Sequence, residues 1–405
     1  MRCVIVSDFC SVNGGAAKVA IESARGLAEA GVQIVFACMI GPVSERLRHP
    51  NIEVALFEGE EVWKVGSKFA AARQGIWNAR AHDALAGLLS RQPRGETLVH
   101  LHQWTKAFSP AAIAAAGESG LPVAITLHDY FSFCPVGGYF DFRAGEPCQR
   151  RPLSASCVGR NCDRASYAHK LVRVARQWRS NGAMSRLNAP LFIHVSPFAR
   201  NFAEPFLPKQ ARHIVVENMM EAPKRVPADV GANRHALFLG RFTQEKAADL
   251  LAEAALAAGM PVRFVGEGPL EAAIRGANPA ADIRGWVPAD AVFDEIAQAR
   301  CLVLPSLWYE PGPLVVAEAR SLGVPVVLAR TTGPASWIRD GEDGLLVEGG
   351  DVAGLTYALA SLRDDDLAIR MGAAAYRNYW AEPLTLDRHV SRSIAGYEAL
   401  LAKGR

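Results

Sequence analysis

Short apolar runs alternate with helical segments along the chain, and this alternation limits the possible folds more than any other feature of the sequence. Nearly continuous apolar runs of this length are typical of strands that are buried on both faces of a parallel sheet. The segment 16–30, which follows the first run, has apolar residues at helical spacing. The runs of the first series lie at residues 3–7, 32–37, 52–56, 97–101, 123–127 and 192–195. The pattern therefore predicts an α/β fold.

The alternation restarts after a looser, charged segment that contains Pro223, Pro227 and Gly231 and that we interpret as a linker. The runs of the second series lie at residues 236–240, 261–266, 282–286, 301–305, 325–329 and 344–347. We therefore predict two Rossmann-like, doubly wound parallel-sheet domains that face a central cleft. The predicted boundaries are 1–216 for the N-terminal domain, 217–234 for the linker, 235–380 for the C-terminal domain and 381–405 for a terminal helix, which could pack on either domain.

The composition excludes several classes of protein. Half of the 405 residues are apolar and 21% are charged, which is typical of a globular protein and rules out global disorder. The longest apolar runs fall far short of the roughly 18 residues that a membrane-spanning helix needs. The 24 prolines and 35 glycines follow no fixed period, so fibrous classes are excluded as well. No signal-peptide pattern opens the sequence, and we expect a cytoplasmic protein.

Two glutamates frame the loop that follows the fourth run of the second series. Glu310 lies in the loop, and Glu318 lies further on in a helical segment. Pro313 suits the first turn of a helix, so we expect the helix to open there with the backbone amides from Gly312 to Leu314 available to an anion. Two carboxylates beside an anion site suit a ligand with both phosphates and hydroxyl groups. The alternative is that Glu310 balances the helix dipole and Glu318 faces solvent.

Two cations follow the first run of the second series. Arg241 comes directly after Gly240, and Lys246 comes five residues later. Because ligands of doubly wound sheets bind at the carboxyl ends of strands, two cations at this place would neutralise a diphosphate. The alternative is that both are ordinary surface cations.

Glycines follow other runs. Gly14 and Gly15 lie between the first run and the first helical segment, where a ligand could approach the backbone closely. The sequence contains no Gly-x-Gly-x-x-Gly fingerprint, and the nearest candidate, which starts at Gly266, lacks its third glycine. This absence argues against a dinucleotide oxidoreductase.

Several blocks in a fixed order resemble the retaining glycosyltransferases of family 4, which have the GT-B fold. The likeness spans nearly the whole chain, and the order and spacing of the blocks are more specific than any block alone. The blocks are Gly14-Gly15-Ala16-Ala17, Leu127-His128-Asp129, Gly240-Arg241 with Lys246, Val265-Gly266-Glu267-Gly268-Pro269, Gly285-Trp286-Val287, Glu310 with Glu318, and Gly323-Val324-Pro325.

The resemblance implies a role for each candidate residue. Arg241 and Lys246 would bind the diphosphate of a nucleotide sugar, either a UDP-sugar or a GDP-sugar. Glu310 would accept hydrogen bonds from the sugar hydroxyls, and Glu318 from the ribose hydroxyls. His128 would contact the transferred sugar near the reacting centre. The resemblance implies that catalysis requires no metal or other cofactor, because cationic side chains take that role.

Other positions are assigned in the same way, and Gly240 and Gly266 are expected to contribute to the binding of the nucleotide sugar. Recognition of the base is expected near Gly285 and Trp286, and Asp129 is expected to contact the acceptor or to act as a base. The sequence departs from the family pattern after Lys246, where the family usually has glycine and this chain has Ala247. The departure leaves the cation in place and puts the conformation of the loop in doubt.

Four cysteines lie close together in an insertion at about 134–182. They are Cys134, Cys148, Cys157 and Cys162. Four thiolates can close a tetrahedral zinc site, and a segment rich in Gly, Pro and Arg would gain from such a staple. The spacing does not match a pair of Cys-x-x-Cys knuckles. The sequence therefore predicts either a structural zinc or reduced free thiols.

Basic charge is concentrated in the first half of the chain. Residues 1–200 contain 23 Lys and Arg against 15 Asp and Glu, although the net charge of the whole chain is +3. Lys170, Arg173, Arg176 and Arg179 recur at helical spacing beside an apolar stripe. Such a helix could contact an anionic membrane or a phosphorylated acceptor. The alternative is an ordinary helix that covers the domain core.

Taken together, these features predict a retaining hexosyltransferase. Its acceptor would be a saccharide or a lipid-linked saccharide in bacterial polysaccharide synthesis, and it could be peripheral on the inner face of the cell membrane. A nucleotide-sugar 2-epimerase could share the fold, but would be expected to have additional acid and base residues. A non-catalytic sugar- or nucleic-acid-binding protein would have no reason to pair cations with carboxylates. We expect no nucleic-acid partner, because no aromatic stacking platform accompanies the basic residues.

Overall fold

The structure, a computed structural model, describes residues 1–402 and contains two parallel sheets in two structural units. The first unit comprises Met1–Tyr139, Gln149–Met219 and the C-terminal segment from Thr385. The second unit comprises Phe140–Cys148 and Met220–Leu384. The predicted class, with two Rossmann-like parallel-sheet α/β domains, is confirmed.

All twelve apolar runs form strands. Strand β9, which is half polar, and the short antiparallel hairpin of β6 and β7 were not predicted from the sequence. The strands in chain order are β1 (Arg2–Phe9), β2 (Gln33–Ile40), β3 (Ile52–Leu56), β4 (Thr97–Gln103), β5 (Val123–Leu127), β6 (Phe140–Asp141), β7 (Glu146–Pro147), β8 (Leu191–His194), β9 (Arg212–Val215), β10 (Ala236–Leu239), β11 (Val262–Val265), β12 (Asp282–Arg284), β13 (Cys301–Leu304), β14 (Val326–Ala329) and β15 (Gly344–Val347).

Helices connect most of the strands, as parallel pairing requires. They are α1 (Gly15–Glu29), α2 (Lys68–Ile76), α3 (Ala79–Leu89), α4 (Ala111–Glu118), α5 (Ala155–Gly159), α6 (Tyr167–Met184), α7 (Pro197–Ala203), α8 (Ala248–Ala258), α9 (Glu271–Ala277), α10 (Val292–Ala297), α11 (Val315–Ser321), α12 (Val352–Ser361), α13 (Asp365–Ala381) and α14 (Leu386–Leu401).

The sheet of the first unit has the order β3-β2-β1-β4-β5-β8-β9, and all neighbouring strands are parallel. The strand order reverses between β1 and β4, which is where doubly wound folds bind ligands. The last helix, α14, packs on α1, and its Val390 and Tyr397 belong to the same buried cluster as Ala20 and Ala24. A side chain on Gly26 would collide with Val390, so this glycine allows the two helices to approach closely.

The sheet of the second unit has the order β12-β11-β10-β13-β14-β15 and is also parallel throughout. Its apolar strands are buried between helices, and Phe238, Phe264 and Leu302 lie in one core cluster. The strand order reverses between β10 and β13. The loops that follow these two strands are therefore the expected ligand-binding loops of this unit.

Candidate functional site

An ion pair joins the two loops at the switch point of the second unit. Lys246, in the loop after β10, donates a hydrogen bond from Nζ to Oε1 of Glu310, which lies in the loop after β13. Ser306 Oγ donates to the other carboxylate oxygen, Oε2, at 2.7 Å. Glu310 is 5% exposed, so its carboxylate is a buried group with a partner for each oxygen. The structure thus brings these two predicted residues into direct contact.

Backbone hydrogen bonds hold the two loops in place. The amide of Leu307 donates to the carbonyl of Glu245 at 2.9 Å, which links the β13 loop to the β10 loop. The amide of Gly333 donates to the carbonyl of Glu310 at 2.7 Å, which links the β13 loop to the turn after β14. Lys246 Nζ also lies 5.7 Å from the centre of the Trp308 ring. The ion pair is therefore positioned by the loops that follow three neighbouring strands, β10, β13 and β14.

Lys246 can bind a further anion from this position. An ammonium group has three hydrogen-bond donors, and Glu310 accepts one of them. The Lys246 side chain keeps 15% of its surface exposed. Nearby Arg241 is exposed, and its guanidinium makes no hydrogen bond or ion pair within residues 1–402. The loop after β10 therefore carries one cation fixed by a carboxylate and one available to a ligand.

The helix that carries Glu318 starts later than the sequence indicated. We expected it to open at Pro313, but α11 begins at Val315, and Leu314 is its N-cap residue. The first helical hydrogen bond runs from the amide of Glu318 to the carbonyl of Leu314 at 3.0 Å, so Gly312 and Pro313 precede the helix. The helix has seven residues, and Glu318 lies on it partly buried, as expected.

Ala247 shows how the loop accommodates the departure from the family pattern. It follows Lys246 with φ of 53° and ψ of 41°, in the left-handed region that favours glycine. The alanine thus takes the conformation that glycine adopts readily. Helix α8 begins at the next residue, Ala248.

Two of the predicted ligand-binding glycines have a packing role. A Cβ atom on Gly266 would lie 2.0 Å from the carbonyl oxygen of Gly240, and both have positive φ. A Cβ atom on Gly268 would lie 2.4 Å from the carbonyl oxygen of Phe242. These glycines allow the loops after β10 and β11 to contact each other through their backbones.

The loop after β12, in contrast, is exposed and has few neighbouring atoms around its glycine. A Cβ atom on Gly285 would meet a single neighbour, Glu267 Oε1, at 3.5 Å, and Trp286 is 70% exposed. An aromatic ring of this size on the surface is available for stacking.

The first unit has its own pocket at its switch point. The pocket is lined by Ala16 in the first turn of α1, by residues after β4 and by His128 and Asp129 after β5. Helix α1 begins at Gly15 with Gly14 as N-cap residue, and no side chain caps the helix. A Cβ atom on Gly14 or Gly15 would meet nothing within 4 Å, so the backbone there is open to a ligand. The structure therefore places the first glycine pair and His128 in the same region of one unit.

Asp129 has an unusual environment in this pocket. Its Oδ1 accepts a hydrogen bond from the amide of Phe131 at 2.9 Å. Burial raises the pKa of Asp129 to about 6, although this hydrogen bond and the Arg176 charge both act to lower it. A carboxyl group with such a pKa can exchange a proton near neutral pH, which fits the expected role as an acceptor contact or a base.

A chain of buried imidazoles lies behind His128. His102 Nδ1 is 3.1 Å from His128 Nε2, and His102 Nε2 is 3.2 Å from His100 Nδ1. His100 and His102 were not predicted as functional residues, because they lie within an apolar run that indicates only a buried strand. Their spacing of two residues was the available signal, since it puts both rings on one face of the strand.

The zinc prediction for the four cysteines is not supported. Within residues 1–402, no group of three or more His, Cys, Asp or Glu side chains is arranged to hold a metal ion. Cys148 belongs to the second unit, while Cys134, Cys157 and Cys162 belong to the first. The Nζ atom of Lys170 lies 3.1 Å from the sulfur of Cys162 and 3.7 Å from that of Cys157, so a buried side-chain cation already contacts these thiols. All eight cysteines lie in the described part of the chain, where all are buried and none forms a disulfide.

Helix α6 presents its basic residues differently from the expectation. Lys170 is fully buried, and Arg176 turns inward to donate to the carbonyl of Pro135 at 2.8 Å. The exposed side chains include Leu171, Trp178 and Arg179. Packing against the cysteine segment causes this orientation, which the helical periodicity alone could not indicate. No helix in the described part of the chain is both long and apolar enough to span a bilayer.

Comparison with known proteins identifies the class. The two Rossmann-like units match the GT-B fold of solved structures. A sucrose-phosphate synthase from Thermosynechococcus elongatus superposes with a TM-score of 0.70 over 99% of both chains at 16% identity. The Anabaena protein HepE, solved in complex with UDP-glucose, superposes with a TM-score of 0.65 over 98% of this chain and 100% of that chain at 15% identity.

Sequence comparison gives the family. The family described as Glycosyltransferase Family 4 matches residues 13–218, and Glycosyl transferases group 1 matches residues 233–365. The chain belongs to glycosyltransferase family 4. A D-inositol 3-phosphate glycosyltransferase of Catenulispora acidiphila is 28% identical over 97% of this chain and 92% of its own length. An exopolysaccharide phosphotransferase of Streptomyces coelicolor is 38% identical over 28% of this chain, which spans 12% of that relative's length. The chain spans 12% to 26% of the length of the first four curated relatives that it matches.

Proposed function

We propose that this glycosyltransferase is a retaining enzyme that moves a hexose-type sugar from a UDP- or GDP-sugar to a saccharide or lipid-linked acceptor in bacterial polysaccharide synthesis. The observation that carries the proposal is the contact between Lys246 and Glu310 at the switch point of the second unit. A cation and a carboxylate side by side match a ligand that has a diphosphate next to sugar hydroxyls. The UDP-glucose bound to HepE, which has the same fold, supports this class of donor.

The proposed donor contacts follow from the chemistry of the loops. Lys246 and Arg241 bind the diphosphate, where negative charge develops as the glycosidic bond breaks. Glu310 accepts hydrogen bonds from the sugar hydroxyls, and Glu318 from the ribose hydroxyls. Trp286 and the open backbone at Gly285 are available to the base. Preorganised charges stabilise the departing diphosphate without reorganisation during the reaction.

The proposed acceptor region is the pocket of the first unit. The open N-terminus of α1 at Gly14 and Gly15 can receive an anionic or hydroxyl group. His128 contacts a sugar hydroxyl, and Asp129 contacts the acceptor or takes its proton. The partly protonated state of Asp129 near pH 6 supports the second role.

Peripheral contact with an anionic membrane is also proposed for the first unit. Trp178 and Leu171 are 58% and 43% exposed on α6, beside the exposed Arg179. Apolar side chains next to a cation are suited to the boundary between head groups and acyl chains. We expect the double variant W178S/L171S to bind vesicles of anionic phospholipid more weakly than the wild type. Trp286→Ser, which removes an exposed tryptophan from the other unit, is the matched control, and equal loss in both would contradict the proposal.

An assay of nucleotide release tests the enzymatic proposal directly. The protein is incubated with UDP- and GDP-sugars, with and without saccharide acceptors, and nucleotide release and product anomers are measured. Release that increases with acceptor and a product with the donor's anomeric configuration support retaining transfer. An inverted product would contradict the retaining mechanism. Epimerisation of the sugar at C2 without any transfer would identify a 2-epimerase instead.

A further inference from the structure

Four side chains form a compact group on one face of the sheet in the first unit. His100 and His102 alternate along β4, and Thr126 and His128 have the same spacing at the end of β5. The two strands are parallel neighbours, with His100 opposite Ala124 in the register. Side chains two residues apart in a strand point to the same face. The topology therefore places three imidazoles and one hydroxyl in contact beneath the pocket that His128 lines.

Tyr397 from α14 closes this group at its buried end. Its hydroxyl is 2.7 Å from Nδ1 of His100, and the residue is fully buried. A buried O–H group needs an acceptor, and the imidazole nitrogen is the acceptor that faces this one. The Tyr397 hydroxyl therefore donates its proton to His100.

The hydrogen bond from Tyr397 to His100 determines which atom is the donor in each of the other hydrogen bonds of this group. Because His100 Nδ1 accepts from Tyr397, the proton of neutral His100 is on Nε2, which donates to Thr126 Oγ1 at 2.7 Å. His102 Nε2 lies 3.2 Å from the same unprotonated Nδ1. The single lone pair of that nitrogen already accepts from Tyr397, so a proton on His102 Nε2 shares it in a weaker three-centred bond. Two bare nitrogens at this distance would repel each other, so His102 carries its proton on Nε2. Its Nδ1 is then bare and faces His128 Nε2 at 3.1 Å. His128 must donate from Nε2, and its own Nδ1 carries no proton.

The hydrogen-bond directions given above require neutral imidazoles, and the burial of the three rings keeps them neutral. His100 and His102 are 2% and 3% exposed. Burial, together with the neighbouring imidazoles, lowers the pKa of His100 and of His128 to about 3 and that of His102 well below its usual value. All three rings are therefore neutral at pH 7, and each carries one proton.

We propose that His102, held by His100 and Tyr397, is a positioning residue that keeps His128 in the neutral tautomer with the proton on Nε2, so that the bare Nδ1 accepts a hydrogen bond from a hydroxyl group of a substrate. His128 then recognises a group that can donate a hydrogen bond and disfavours one that only accepts. The tautomer depends on the residues of this unit alone, whereas the contact with a substrate rests on the proposed function.

The protonation of His128 can be measured by NMR without any substrate. The protein has ten histidines, and labelling histidine with ¹⁵N gives side-chain correlations that distinguish Nδ1–H from Nε2–H. The signals of His128 are those lost in His128→Gln. We expect a neutral ring with the proton on Nε2 in the wild type at pH 7. A proton on Nδ1, or an imidazolium, would overturn the proposal.

Variants of the buried residues test whether the chain of imidazoles causes this state. His102→Phe keeps a ring but removes both nitrogens, and Tyr397→Phe removes the donor that sets the direction. We expect the signals of His128 to shift from one tautomer to an average of two in each folded variant. His194→Gln is the matched control, because His194 is a fully buried histidine of the same sheet that pairs with His213 at 3.0 Å. An unchanged single tautomer in both His102→Phe and Tyr397→Phe would overturn the role of the chain.

A kinetic readout tests the substrate contact separately. If the proposed transfer is observed, His102→Phe should raise the KM of the substrate that His128 contacts about twofold, because an average of two tautomers leaves about half of the protein with a bare Nδ1, with a smaller change in kcat. His194→Gln should leave KM unchanged. Absence of transfer in the wild type would contradict the proposed function and leave the NMR result standing. A changed tautomer with an unchanged KM would refute the substrate contact.

Discussion

Lys246 and Glu310 are 64 residues apart in the sequence, and the ammonium of Lys246 donates a hydrogen bond to the buried carboxylate of Glu310. This pair links the loops after β10 and β13, the two strands between which the order of the sheet reverses. Parallel strands with a crossover on each side leave a crevice at that point. The fold therefore provides the crevice, and the two side chains supply the charges that would bind a nucleotide sugar.

The pair should show strong coupling in the free energy of unfolding. Lys246→Met leaves the Glu310 carboxylate buried with Ser306 as its remaining partner, and we expect a loss of about 3 to 5 kcal/mol. The double variant with Glu310→Gln should be more stable than the single variant, because the uncompensated charge is gone. Urea unfolding of the four proteins in the cycle measures the coupling. Additive effects of the two substitutions would show that the pair does not interact.

Arg241 allows activity to be separated from stability. Its guanidinium is exposed and has no ionic partner within residues 1–402, so Arg241→Gln should change the free energy of unfolding by less than about 0.5 kcal/mol. We expect the rate of nucleotide release to fall about a hundredfold, because one preorganised contact to the leaving diphosphate is lost. Arg275→Gln, an exposed arginine on α9 of the same unit, is the matched control. Full activity of Arg241→Gln would remove this residue from the donor site.

At the glycine pair where α1 begins, we expect a substitution to raise stability and lower activity. Gly15 is the first residue of the helix, and a methyl group there would meet no atom within 4 Å. Gly15→Ala should raise the free energy of unfolding by about 0.4 to 1 kcal/mol, because alanine restricts the unfolded chain. It should also lower transfer activity, since the methyl group occupies the space where a ligand would approach the backbone.

Gly87→Ala is the control for this substitution. Gly87 lies inside α3 of the same unit, and a methyl group there would also meet nothing within 4 Å. It should stabilise the protein without a change in transfer activity. Thermal unfolding and nucleotide release, measured on both variants, distinguish the two positions. If both variants keep full activity, the start of α1 does not contact a substrate.

The sequence predicted these local features well where they depend on neighbours in the chain. The apolar runs formed strands because a strand buried on both faces needs continuous apolar residues, and α14 formed because its apolar residues follow helical spacing. The placement of Lys170 was different. Its helical spacing suggested a basic face that could contact an anionic membrane or a phosphorylated acceptor, but the segment with Cys157 and Cys162 covers Lys170 in the folded unit. Contacts between distant segments decide such burial, and periodicity contains no information about them.

The imidazole chain illustrates the same limit. His100 and His102 could be recognised as a pair on one face of β4, but Tyr397 reaches them from a helix almost 300 residues later, with a separation of 297. Only the packing of α14 within the first unit reveals the contact. The Lys246 and Glu310 pair was predicted better, because both residues follow strands whose order in a doubly wound sheet is regular.

Asp129 predicts how stability depends on pH. Burial raises its pKa in the folded protein to about 6, whereas the ordinary value of 3.8 applies to the unfolded chain. The folded state therefore binds the proton more tightly, and this group's contribution to the free energy of unfolding decreases as pH rises from about 4 to about 6. A difference of about 2 units between the two pKa values corresponds to about 3 kcal/mol, which is lost above pH 6.

Asp129→Asn cannot ionise, and its side-chain oxygen can still accept from the amide of Phe131. We expect the variant to gain about 2 kcal/mol relative to the wild type at pH 8 compared with pH 4, where part of the effect is already lost, measured by urea unfolding at both values. An equal difference at the two pH values would show that Asp129 titrates normally in the folded protein.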